Sequence, residues 1–156
     1  TGPSIANMSF FSGFKQSISG DYKGLYTTDN NQAYFLYSSD INNGVLKNYG
    51  NLYFIYSVDG TDYITDLGIA VSVSTIYKLR IVIDNNRQIA VFVNGVQYGL
   101  ITSNSSGGTT QSNSTTLSNA LKTGESLIPY VGVETHEGVA KQITLCYEKI
   151  SRVLYQ

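Results

Sequence analysis

Between Ile76 and Ile101 the chain reads IYKLRIVIDNNRQIAVFVNGVQYGLI, three apolar runs divided by two polar breaks. The second break is Asn94-Gly95. A two-residue type I′ turn needs positive φ at both central positions, and Asn-Gly supplies it more readily than almost any other pair. That turn sets Val93 opposite Val96, Val91 opposite Tyr98 and Ile89 opposite Leu100. The preceding run alternates Tyr77, Leu79, Ile81 and Ile83 against Lys78, Arg80 and Val82. Side chains on a strand alternate with period two, so only an odd loop keeps Leu79 and Ile81 level with Ile89 and Val91. A three-residue Asp84-Asn85-Asn86 loop with Asn86 in the left-handed region meets this, and a five-residue loop is the alternative. The stretch predicts a three-strand meander with one apolar face.

The rest of the chain repeats the strand pattern. Met8–Phe14 is a strand candidate, and Leu25-Tyr26 a short one inside a loop over 15–31. Gln32–Tyr37 is apolar on both faces and reads as an inner strand. Asp40–Gly44 is a turn cluster. Asn51–Val58 alternates Leu52, Phe54, Tyr56 and Val58 against Tyr53, Ile55 and Ser57, and ends at the hairpin-type turn Asp59-Gly60-Thr61-Asp62. A run from Tyr63 follows and weakens toward Val73. Leu127–Glu134 is a strand in which Pro129 fits an edge or a strand start. Thr135–Gly138 turns the chain into a long final strand, Val139–Tyr155, with a bulge at Glu148-Lys149 where the phase falters. No segment has helical period. Short strands at this spacing, parted by polar turns, indicate an all-β sandwich or barrel.

Residues 103–119 (SNSSGGTTQSNSTTLSN) are of low complexity and predict a long flexible surface loop. A tolerated insertion is the plain reading, a binding or lattice-contact loop its rival.

Composition narrows the function. The 156 residues suit a single domain, 1–156, with residues 1–7 as an N-terminal arm. Only 13% of residues are charged while 42% are hydrophobic, so polarity rests on Ser, Thr, Asn and Gly. A net charge of −1 without a basic cluster argues against a nucleic-acid partner. No run is long and apolar enough to span a membrane, and no signal peptide is visible. Cys146 is the one cysteine, which excludes an intrachain disulfide. Its place in an apolar run predicts a buried, inert thiol.

Candidate chemistry is sparse. His136 stands beside Glu134 and Glu137, but one histidine with two turn carboxylates falls short of an ordinary zinc site, so a solvated turn is expected. Asp59 with Asp62, or Asp29-Asn30-Asn31, carry oxygens suited to calcium, though such clusters are more often Asx-turns. Glycoside hydrolysis needs two carboxylates facing one cleft. Here Asp21, Asp29, Asp40, Asp59, Asp62 and Asp84 are scattered over turns, and no strand carries Glu-x-Asp. The thirteen tyrosines lie mostly inside strand runs, where core packing is expected before sugar stacking or interface anchoring. No phosphate loop or Ser-His-Asp arrangement is recognisable.

Four runs taken together resemble a known family. They are Tyr77–Asp84 (YKLRIVID), Phe92–Val96 (FVNGV), Leu127–Val133 (LIPYVGV) and the close of the last strand at Ile150-Ser151-Arg152. The chain resembles the concanavalin A-like jelly roll of laminin-G and pentraxin type, in the version found in bacteriophage virion proteins. The resemblance implies an antiparallel β-sandwich, a non-enzymatic role and display on a particle surface. The motifs are scaffold motifs and bring no site residues with them. Neither the metal-binding Asp/Asn loops of legume lectins nor the Glu-x-Asp-x-x-Glu strand of the related glucanases has a match.

The expectation is therefore a phage virion surface domain: a capsid decoration, head-fibre or tail-appendage module without catalytic residues or cofactor. A carbohydrate-binding lectin module, on a virion or in a secreted protein, is the alternative, and a glycan-cleaving enzyme a distant third. Expected partners are other virion proteins, further copies of the chain (a trimer first among the counts) and host-surface glycan.

Overall fold

A computed structural model describes residues 4–16, 30–39, 50–103 and 114–151, and the backbone alone of 109–110. The expected strand at Leu25-Tyr26 and the turn at Asp40–Gly44 lie outside these residues. Strands β1 (Met8–Lys15), β2 (Gln32–Ser38), β3 (Asn51–Val58), β4 (Thr61–Ala70), β8 (Thr109–Thr110) and β9 (Ile128–Thr135) form one sheet in the order β8-β4-β3-β2-β1-β9. Strands β5 (Leu79–Ile83), β6 (Ile89–Val93) and β7 (Val96–Tyr98) form a second. Every pairing is antiparallel except β8 beside β4. The described residues contain no helix, and so none that crosses a membrane. The fold is all-β.

The main core takes side chains from both sheets. Ala33, Phe35, Tyr37, Leu52, Phe54, Tyr56 and Leu67 from the larger sheet meet Ile89, Val91 and Val93 from the smaller. Phe35 and Phe54 cross edge to face at 5.1 Å, and Tyr56 stacks on Tyr63 at 4.7 Å. Burying a large apolar side chain of this kind contributes about 1.5–3 kcal/mol. The alternate residues of the same strands (Phe11, Tyr34, Leu36, Tyr53, Ile55 and Ile64) form a separate buried cluster. With period-two alternation, that cluster lies on the opposite face of the larger sheet. This explains why β2 is apolar throughout: both its faces are covered.

The hairpin readings held where turn chemistry dictated them. Asn94 and Gly95 have φ of 51° and 87°, and Val93 faces Val96 with Val91 facing Tyr98. Tyr77, Leu79, Ile81, Ile83 and Tyr98 pack against the main core. Asp59 and Gly60, with φ of 49° and 79°, turn β3 into β4, so Thr61 and Asp62 already belong to the strand. Farther along, Leu52 pairs with Ile69 but Tyr53 with Asp66. The Asp66 carboxylate holds this bulge, accepting from the Gly68 N–H (2.8 Å) and the Asn51 amide (3.0 Å).

Five expectations need correction. The β5–β6 loop is the five-residue alternative, with Ile83 level with Ile89 and the left-handed residue at Arg87 (φ 61°) instead of Asn86. Asp84 closes it, its backbone N–H donating to the Gln88 carbonyl and its carboxylate accepting from the Gln88 N–H. This register pairs Leu79 with Val93 and keeps Arg87 out of the ladder. Second, Ile89 does not face Leu100: the ladder ends at Tyr98 and the 114–121 segment takes over. There Thr116 O accepts from Leu100 N–H and Ile89 O from Ser118 N–H.

Third, residues 103–119 are not surface loop throughout. Thr109–Thr110 pair with Thr65–Asp66, and Ser118 is buried, its hydroxyl accepting from the Ile89 N–H (2.8 Å). Short polar side chains that bond the backbone let such a sequence pack. Residues 104–108 and 111–113 lie outside the described ones. Fourth, residues 139–151 of the expected final strand belong to no sheet: among the described residues no strand pairs with them, and residues 152–155 lie outside those described. Fifth, and for the same reason, Cys146 is exposed. In the N-terminal arm, Ile5 packs on the core and its carbonyl accepts from the Tyr37 hydroxyl (2.9 Å).

Candidate functional site

Among the described residues, the face of the larger sheet turned away from the smaller one carries most of the buried polar side chains. Along β1 it presents Ser9, Phe11, Gly13 and Lys15, and along β2 Gln32, Tyr34, Leu36 and Ser38. Tyr53, Ile55 and Ser57 of β3 face Asp66, Ile64 and Asp62 of β4 on the same side. Tyr130 of the outermost strand β9 lies flat on Phe11, with ring centres 5.4 Å apart and planes at 8°. The Lys15 ammonium sits over the same ring at 5.9 Å, within reach of a cation–π contact. Gly132 makes this stack possible, since a Cβ there would run into the Phe11 ring. Gln32 donates to Ser57, whose hydroxyl donates to Asp62 (2.5 Å). Desolvation at this spot raises the Asp62 carboxyl above its ordinary range, the Ser57 bond partly offsetting it. The result is a strip of aromatic and hydrogen-bonding groups, half-open at Tyr130 and closed at its centre.

A second polar group gathers at the β3–β4 turn. Asn30 O accepts from the Gly60 N–H, and the Asn31 side chain from the Asp59 N–H. Lys122 pairs with Asp59 at 2.7 Å, which raises the lysine's pKa. Nearby, Gln16 binds Glu125, and Arg87 donates to the Glu125 carbonyl. The calcium candidates Asp59 and Asp62 therefore do not converge: one turns to Lys122, the other to Ser57. Asp29 lies outside the described residues. Among the described residues no three His, Cys, Asp or Glu side chains gather in a way that would hold a metal ion.

His136 departs from the solvated turn expected of it. Its side chain is 17% exposed, and its Nε2 lies 3.1 Å from the Ser9 hydroxyl and 3.7 Å from Glu134. Ser9 and His136 are 127 residues apart, and only the β1–β9 register, which sets Ser9 opposite Glu134, brings them together. No sequence motif could have signalled this trio. It is not a nucleophilic triad, which needs the hydroxyl and the acid on opposite ring nitrogens. Here both meet the same nitrogen, and Ser9 is wholly buried within a strand. Glu137, the other expected neighbour, turns instead to Lys141 and Asn7, which lower its pKa.

No family model, curated protein or solved structure matches the chain.

Proposed function

We propose that the chain is a non-enzymatic surface domain of a phage virion, a capsid decoration, head-fibre or tail-appendage module folded as a concanavalin A-like jelly-roll β-sandwich. The observation that carries this reading is the shared core of the two sheets, built on the hairpins of residues 77–98 that carry the resemblance. Six of the eight described carboxylates support a scaffold role. Asp59, Asp62, Asp66, Glu125, Glu134 and Glu137 are each spent on a turn, a bulge or a partner side chain. Such a domain works in particle structure or attachment, beside other virion proteins and further copies of itself, a trimer being the first count to test.

A carbohydrate-binding module is the second reading, favoured by the Phe11–Tyr130 stack with Lys15 above it. Aromatic faces flanked by hydrogen-bonding groups suit a sugar ring. A glycan array on the whole chain separates the readings. Silence, together with location of the chain on a particle surface by electron microscopy, supports the structural role. Defined binding that Tyr130→Ala removes makes it a lectin. Turnover of a bound glycan overturns both.

A further inference from the structure

Residues 140–151 have the sequence of a strand and the surroundings of a free segment. Ile143, Leu145 and Tyr147 alternate with Thr144, Cys146 and Glu148, the pattern of a half-buried strand. Yet Leu145 is 56% exposed, Tyr147 74%, and no backbone hydrogen bond ties 140–151 to any described strand. The polar ties lie at the root, where Thr135 donates to the Val139 carbonyl and Lys141 pairs with Glu137.

The smaller sheet has an edge to match. Among the described residues β5 pairs only with β6, and its core-facing Leu79, Ile81 and Ile83 are only partly covered. An edge of this kind is a template for another strand. Its sequence, LRIVI, carries one charge and no proline, whereas the β9 edge is blunted by Pro129. Ile101, just past β7, bonds Thr65 of β4 and Tyr56 of β3, and the β5–β6 loop reaches Glu125, itself bound to Gln16 past β1. Strand β5 thus crosses the larger sheet obliquely, from the end of β4, where the Tyr77 hydroxyl accepts from the Ser72 N–H and donates to the Ala70 carbonyl, toward the end of β1.

We propose that Ile143–Tyr147 close onto the open edge of β5 in the same chain, as a fourth strand of the smaller sheet. Ile143, Leu145 and Tyr147 then cover Leu79, Ile81 and Ile83, while Thr144 and Cys146 share the outer face with Arg80 and Val82. Seven linking residues reach roughly 23 Å when extended, against about 10 Å between packed sheets and about 5 Å for each strand crossed. A tether this short gives an effective concentration in the millimolar range, above that of a free second copy, which is why the chain's own segment is the occupant.

Hydrogen exchange on the full chain tests this, with peptides covering 79–83 and 143–147. Closure slows exchange in both by roughly tenfold or more relative to Leu145→Lys, equally at low and high protein concentration. Fast exchange in 143–147 overturns it. A cysteine trap identifies the source of the strand. Arg80→Cys or Val82→Cys, treated with oxidised glutathione, which is reduced to two thiols as the bond forms, should join Cys146 within one chain, and Cys146→Ser should abolish the product. A product that is only a cross-linked dimer overturns the same-chain assignment in favour of a second copy. Absence of any disulfide in both variants overturns the pairing.

Discussion

At the scale of the residue, burial and hydrogen bonding decide more than charge. Tyr56 is buried in the main core, its hydroxyl donating to the Ile101 carbonyl (2.6 Å) and accepting from the Asn119 N–H (3.1 Å). Burial outweighs the Asn119 bond and pushes its pKa from an ordinary 10.0 up to about 12. The neutral phenol thus stabilises the native state fully below pH 10.0, and this contribution is lost as pH rises toward about 12. Tyr56→Phe strands the buried Ile101 carbonyl and the half-buried Asn119 N–H and should cost about 1–3 kcal/mol in urea denaturation at neutral pH. Its alkaline loss of stability should be shallower than that of the wild type. Asp62 shows the same linkage for a carboxyl. Its raised pKa means that the charged form weakens the folded state, and the cost is relieved as pH falls through the folded value toward 3.8. Asp62→Asn keeps an acceptor for Ser57, so it should raise the melting temperature at neutral pH. That gain should fade on acidification; a gain independent of pH would refute the assignment.

At the scale of the element, turns and alternation were legible and long-range partners were not. Asn94-Gly95 and Asp59-Gly60 announced their hairpins because few other pairs adopt two successive positive φ angles cheaply. The strand bounds of Asn51–Val58 followed from period two, and the apolar run Gln32–Tyr37 fell one residue short of the observed Gln32–Ser38. The site was less legible. Ser9, Glu134 and His136 meet only through the pairing of β1 with β9, and pairing across more than a hundred residues leaves no local trace. The final strand misled for a related reason: alternation reports the capacity to be a strand, while the strand itself needs a neighbour. Gly13 shows how closely neighbours constrain sequence. A Cβ there would overlap the Ala33 carbonyl and the Tyr34 backbone, forcing β1 off β2. Gly13→Ala should therefore cost about 3 kcal/mol in chemical denaturation. Gly95→Ala, which meets open space at a φ of +87°, should cost about 1–2 kcal/mol, the strain of the left-handed region alone.

At the scale of the whole molecule, the open edges decide how copies meet. Closing β5 with the chain's own C-terminal segment would leave β9 as the outermost long strand, with Ile128 42% and Val133 39% exposed on either side of Pro129. Proline discourages backbone pairing along that edge but does nothing to discourage apolar side-chain contact. The net charge of −1 leaves little electrostatic repulsion between copies. Self-association of the proposed surface domain should therefore run through β9 and leave β5 untouched. Sedimentation should show an oligomer at about 10 µM, the concentration range of many weak assemblies. Val133→Lys buries a charge in each contact, and an interface side chain of this weight, about 2 kcal/mol, corresponds to roughly 30-fold weaker association. The variant should thus sediment as a monomer with its melting temperature nearly unchanged, since Val133 is an edge residue outside both core clusters. A wild-type monomer at every concentration would leave contact with a different protein as the remaining use of that edge. An oligomer indifferent to Val133→Lys would move the interface away from β9.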